Sequence, residues 1–209
     1  MAEERRPRRP SLRIEPSDLA LEIVSIVIAI VLATTAGQIV ANHQADARTR
    51  ESLAQIRQEV AHDDTELEGL RSLHHRVDTA FALAIRRTRG EYLTFDAFTH
   101  TFGDAAPTGF HPFDGSTTAW DLARGSSVLQ DVPYGVRAAL QTRYADLAHV
   151  RELSARLYER FLTAPTEDHP NFYFTAVAVS ANLKDLVYAE TALARDDESA
   201  LHALSASGM

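Results

Sequence analysis

LAQIRQEVAHDDTELEGLRSLHHRVDTAFALA, running from Leu53 to Ala84, is the stretch whose spacing decides the fold. Leu53, Ile56, Val60, Leu67, Leu70, Val77, Phe81 and Ala84 recur at intervals built from threes and fours, and Asp63 and His74 occupy the slots that break the apolar run. Residues three and four apart share one side of an α-helix, so a sustained repeat of this kind makes a seam that packs against other helices. The segment from Arg48 to Leu73 is also rich in strong helix formers, and no proline lies between Pro16 and Pro107. A continuous or kinked helix is therefore predicted. The alternative is a restart near Asp63, where Asp63 with Glu66, or Thr65 with Glu68, has capping-box spacing.

Upstream, LEIVSIVIAIVLATTAGQIVANH (Leu21–His43) carries no charge between Ile23 and Val40. Crossing a bilayer takes about 20 apolar residues, and extending the stretch to Leu19 and Ala41 reaches that length. Arg5, Arg6, Arg8, Arg9 and Arg13 precede it, against Arg48, Arg50 and Arg57 beyond it. This asymmetry favours a cytoplasmic N-terminus and a periplasmic C-terminal part at a bacterial inner membrane. A cleaved signal peptide is the rival, with Thr34 and Ala36 at the −3 and −1 positions. The apolar helix pattern runs through that site without a break, which favours an uncleaved anchor. A soluble core helix is the third reading. Ser25, Ala29, Ala33, Gly37 and Ala41 recur every fourth residue, a stripe of small side chains that permits close helix–helix approach in lipid. Chance in an alanine-rich chain explains the same stripe. Glu22 either marks an intramembrane ion path or sits at the interface and aids the helix N-terminus; the second is preferred.

Downstream, RGEYLTFDAFTHTFGDAAPTGFHPFDGS mixes glycine, proline and aspartate with many aromatics, which predicts an ordered connector rather than a disordered one. STTAWDLARGS reads as a short helix with Ser116 or Thr117 as its cap, Gly125 as its stop and Trp120 packed inside. After Pro133, Val136, Leu140, Tyr144, Leu147, Val150, Leu153, Leu157 and Phe161 keep a helical period. Pro165 and Pro170 break the chain. A last helix then begins near Pro170, with Phe172, Val179, Leu183, Leu186 and Leu193 inward, and runs to about Leu204. No strand alternation of any length occurs.

The totals exclude several chemistries. The chain of 209 residues has a formal net charge of −8, which argues against nucleic acid as a partner, since phosphate binding needs a basic face. It has no cysteine, so disulfides, thiolate zinc sites and cysteine nucleophiles are ruled out. Serine-hydrolase elbows, phosphate loops and dinucleotide fingerprints are missing. A di-iron bundle needs two Glu-x-x-His motifs. EVAH supplies one, Glu59 with His62, and HVRE gives only the reverse order, His149 with Glu152. Glu59 lies beside the seam and is expected to be mostly solvated. HDDTELE reads as a solvated acidic face without EF-hand spacing. His74, on the seam, is expected to be a core histidine with one hydrogen-bond partner; a pH-sensing role is the minor reading. No catalytic residue, metal or cofactor is implied.

The opening LEIVSIVIAIVLATTAGQIVANHQADARTRESLAQIRQEV resembles small bacterial single-pass inner-membrane proteins of uncharacterised function. In these a glutamate precedes an aliphatic span and a charged helix follows; Glu22, Leu53, Ile56 and Glu59 fill those places. TAWDLARGSSVLQDVPYGVRAALQTRYADL is similar to that family's second half through Trp120, Tyr134 and Tyr144. Where the family carries an asparagine-tryptophan pair, this chain has ANHQ. The resemblance implies a helical fold with one span and no established activity.

The expectation is an all-α protein. A basic arm (1–18) and a transmembrane helix (19–41) lead into a long coiled-coil-like helix (42–89). An aromatic connector (90–115) and a helical hairpin (116–209) complete a bundle of long antiparallel helices. Its expected core includes Leu53, Ile56, Val60, Leu67, Leu70, Trp120 and Tyr144. Its expected partners are the lipid bilayer, a second copy through the span and the heptad helix, and an unidentified protein. The expected role is a non-enzymatic envelope interaction or scaffold module. The rivals are a membrane sensor or signal-transmission subunit and a cleaved periplasmic bundle.

Overall fold

A computed structural model describes residues 16–88, 92–162 and 172–207, with side chains from residue 24 onward. The described residues are helical throughout apart from short connections, and no strand occurs among them. The helices are α1 (Pro16–Thr88), α2 (Phe95–Ala105), α3 (Thr118–Arg124), α4 (Tyr134–Leu162) and α5 (Tyr173–Ala206), with one 3-10 turn at Val128–Gln130. The all-α class predicted from the periodicity is therefore the observed one. The chain divides into two compact units, Met1–Ala47 and Arg48–Met209. Most of the basic arm predicted at 1–18 lies outside the described residues.

In the first unit, Val24, Ile26, Val27, Ile28, Ile30, Val31, Leu32, Ile39 and Val40 are each 52% to 64% exposed. Its two threonines hide their hydroxyls. Thr34 donates to the carbonyls of Ile30 and Val31 at 2.9 Å, and Thr35 donates to Val31 at 2.7 Å. Both polar atoms are satisfied on the helix's own backbone, so the surface stays apolar despite them.

The second unit is built on three heptad seams. On α1 the seam is Leu53, Ile56, Val60, Asp63, Leu67, Leu70, His74, Val77 and Phe81; all are buried except Leu70, which is half-buried. On α5 it is Ala176, Val179, Leu183, Leu186, Glu190, Leu193, Asp197, Ala200 and Leu204, all buried. On α4 it is Val136, Leu140, Arg143, Leu147, Val150, Ser154, Leu157 and Phe161. An apolar-only count along α4 selects Tyr144 and Leu153 instead. The structure places Arg143 and Ser154 on the seam itself, with Tyr144 buried beside it and Leu153 half-buried.

Cross-helix bonds give the directions. Asp63 of α1 and Asp197 of α5 share Arg143, and His74 and Asp78 of α1 meet Glu190 and Ser180 of α5, so α1 and α5 are antiparallel. Glu59 and Phe81 of α1 meet Tyr144 and Phe161 of α4, so α1 and α4 run the same way and α5 runs against both. The connector between α1 and α4 must therefore travel back along the bundle. α1 passes through Asp63 without interruption, and the capping-box restart does not form.

The aromatic connector is ordered by its own side chains. Phe98, Phe110 and Phe113 are buried, and Phe102 lies 4.5 Å from Phe161 between ring centroids. Part of the connector is helical: α2 starts at Thr94, whose hydroxyl accepts from the Ala97 N–H at 3.1 Å. A turn follows, closed by the Gly109 N–H on the Ala106 carbonyl, with Gly109 at φ +87°, where glycine has no steric penalty. The Phe172 N–H donates to the Leu93 carbonyl at 2.8 Å and ties the start of α5 to the connector. Thr117 is the residue before α3 and Gly125 the one after it; the Thr117 side chain makes no cap bond to the backbone.

At Gly115 the connector packs tightly against α4. A Cβ there would lie 2.6 Å from Leu147 Cδ1 and 2.9 Å from Phe113 Cζ, and both of those side chains are fully buried. Gly115→Ala is expected to destabilise the fold by about 1–3 kcal/mol through overpacking, measured by chemical denaturation of the full chain in detergent.

Candidate functional site

Ser25, Ala29, Ala33, Gly37 and Ala41 lie on the exposed part of α1, and a Cβ added at Gly37 would meet nothing within 4 Å. The side chain of Glu22 lies outside the described residues. Among the described residues, α1 is the one helix long and apolar enough to cross a membrane, and none of its apolar window is buried.

The second feature is the set of ionisable side chains inside the bundle. Each of the three seams carries polar residues, and these residues find one another. The buried Arg143 guanidinium donates from Nε to Asp197 Oδ1 at 2.7 Å and from Nη2 to Asp63 Oδ2 at 2.6 Å, joining all three helices in one layer. Burial alone would weaken the guanidinium's hold on its proton, but the carboxylate of Asp197 and the bonds to both acids outweigh it and push its pKa up. Asp197 moves the other way from an ordinary acid. Burial raises its pKa to about 6, only partly offset by Arg143, with Asp64 and Asp63 adding like charge. Arg143 Nη1 and Asp197 Oδ2 are buried without hydrogen-bond partners among the described residues.

One turn toward the N-terminus of α1 sits Glu59. It accepts from the Tyr144 hydroxyl at 2.6 Å, the Ser116 hydroxyl at 2.7 Å and the Ala119 N–H at 2.8 Å. Burial would raise its pKa, but these donors outweigh burial and hold it below the ordinary carboxylate value. Glu59 is therefore a saturated acceptor, not the solvated residue expected from its place beside the seam. Tyr144 is pushed up, first by burial and then by its bond to Glu59.

His74 marks the next polar layer. Its Nδ1 lies 2.6 Å from Glu190 Oε1 and its Nε2 lies 3.3 Å from the His111 carbonyl, while Phe110 stacks on the ring at 4.7 Å. Both ring nitrogens face oxygens. Which nitrogen donates depends on the tautomer of the ring. The expected core histidine thus has two polar partners.

These layers also hold the connector. Asp63 accepts from the Ser116 N–H at 3.0 Å through both oxygens, Ser154 accepts from the Phe113 N–H at 3.0 Å, and His74 faces the His111 carbonyl. Irregular backbone laid over apolar helices would otherwise leave unpaired N–H and C=O groups. Sequence reading located Asp63, His74 and Glu59 but missed Arg143, Glu190, Ser154 and Asp197. The usable signal was present: each interrupts an otherwise apolar 3-4 repeat.

The metal motif does not assemble. Among the described residues no group of three or more His, Asp or Glu side chains is placed to hold a metal ion. His62 is exposed, and the lone pairs of Glu59 are already bonded. Comparison with family models, with curated proteins and with solved structures finds no match to this chain.

Two measurements follow from the Arg143 layer. Arg143→Met leaves two buried acids facing each other and is expected to cost about 3–5 kcal/mol in denaturant titrations. For Asp197 the sign follows from a folded pKa raised above the unfolded one. The group's contribution is full below the ordinary aspartate value and is lost as pH rises through about 6. Asp197→Asn removes that dependence, so the variant should gain stability relative to the native chain between pH 4 and 7, by on the order of 2 kcal/mol. A difference that stays flat across that range would contradict the protonation argument.

Proposed function

We propose that this chain is a bacterial single-pass inner-membrane protein whose helical body serves as a non-enzymatic interaction or scaffold module in the envelope. The observation that carries the reading is the aliphatic surface from Val24 to Val40, where nine Val, Ile and Leu side chains are each more than half exposed. Water disfavours so large a contiguous apolar surface, and a bilayer removes it from water. The arginine-rich start supports a cytoplasmic N-terminus, with the bundle in the periplasm. The heptad seam of α1 is filled by α4 and α5 of the same chain, so pairing of two copies is assigned to the stripe from Ser25 to Ala41. The polar side chains of the core bond to one another and to the connector, which supports a structural part for them.

A transmission role is the second reading. It rests on one observation: α1 carries both the apolar window and the Asp63 and His74 side chains of the buried polar layers.

Alkaline extraction of membranes should leave the full chain in the pellet, with an intact N-terminus by mass. A mature chain starting after Ala36 and found in the soluble fraction would remove the anchor. Because the chain has no cysteine, single Cys substitutions are unique probes. Cys at positions 25, 29, 33 and 37 should cross-link between copies, and Cys at 27 and 31 should not. Equal cross-linking on every face would refute pairing through the stripe.

A further inference from the structure

A cleft of about 640 Å³ opens where α3, the 128–130 turn and the first half of α4 meet. Its size falls within the range of sites that hold small organic molecules. One wall is aromatic: Trp120 stacks on Tyr144 with ring centroids 4.8 Å apart and planes 7° from parallel. Leu129 and Ala148 extend the apolar lining.

The polar lining is unusual for this acidic chain. Arg124 and Arg137 both border the cleft, and neither belongs to an ion pair among the described residues. Arg137 Nε is shielded from solvent and has no hydrogen-bond partner there. A shielded donor left unpaired costs about 1–3 kcal/mol. The one carboxylate of the lining, Asp121, accepts from the Thr117 hydroxyl at 2.8 Å rather than from either arginine. Two arginines against one acid leave a positive cleft on a chain of net charge −8.

We propose that this cleft binds a small planar organic carboxylate. The flat body lies along the edge of the Trp120–Tyr144 stack, and the carboxylate pairs with the half-buried Arg137 guanidinium through its Nη groups, with Arg124 adding charge at the mouth. The guanidinium edge offers two parallel N–H donors, which match the two coplanar oxygens of a carboxylate. A phosphate would bring a second negative charge beside Asp121, so a single charge fits better.

The test uses the full chain in nanodiscs with naphthalene-2-carboxylate as the probe. Trp120 is the only tryptophan, so its fluorescence lifetime reports the cleft alone. The expected result is saturable lifetime quenching with half-saturation on the order of 10–1000 µM. Naphthalene-2-carboxamide and Arg137→Met should each weaken binding by about tenfold or more. Ala148→Leu, at an exposed position on α4, should block binding while circular dichroism stays native. Absent saturation, equal binding of the amide, or unchanged binding in a folded Arg137→Met would overturn the proposal. Should Arg137→Met fail to fold, Ala148→Leu decides, and unaltered binding there overturns it.

Discussion

A buried guanidinium cannot be left alone. Desolvating the charge of Arg143 costs several kcal/mol, and the two carboxylates facing it, with the Tyr144 ring 4.5 Å from the guanidinium carbon, offset that cost. This requirement fixes how the three long helices sit. Asp63 must stand on α1 at the height of Arg143 on α4, and Asp197 on α5 must arrive at the same level from the opposite direction. An apolar seam alone tolerates a slip of one heptad, because one leucine layer resembles the next. A slip here would bury three unpaired charges. The polar slots therefore select one register among several that hydrophobic burial would accept.

The same residues solve a second problem. Because α1 and α4 run in the same direction, the chain between them must return along the outside of the bundle. Its backbone crosses apolar helix faces where water is scarce. Asp63, His74, Glu59 and Ser154 supply bonds at Ser116, His111, Ala119 and Phe113, in that pairing. Core polarity and connector placement are thus one arrangement, which explains why the aromatic segment is ordered although only α2 within it is regular structure.

Much of the architecture was legible because helical periodicity is a strong signal in long segments. The seam on α1 and the inward residues of α5 could be read from spacing, and the ordered connector from its aromatic content. What escaped reading was the pairing. Arg143 sits next to Tyr144, and a count restricted to apolar residues steps onto the tyrosine; Glu190 and Asp197 fall on seam slots, but their spacing does not say which residue each faces. Partners 54 and 80 residues apart leave no local trace. The direction of α4 relative to α1 escaped for the same reason: it depends on those distant pairs and not on any turn motif. The apolar stretch of α1 needed no partner to be recognised, since its length and lack of charge are properties of one segment.

The order of synthesis gives the Arg143 layer a further meaning. Asp63 leaves the ribosome first, Arg143 follows, and Asp197 comes last of the three. Until that last portion of α5 appears, the guanidinium has one acid instead of two and the α1 seam is open on one side. Helical bundles ordinarily close through local encounters and so form quickly. This one cannot complete its central layer until α5 has been made past Asp197, so a layer that holds α1 and α4 waits on the helix that is synthesised after both.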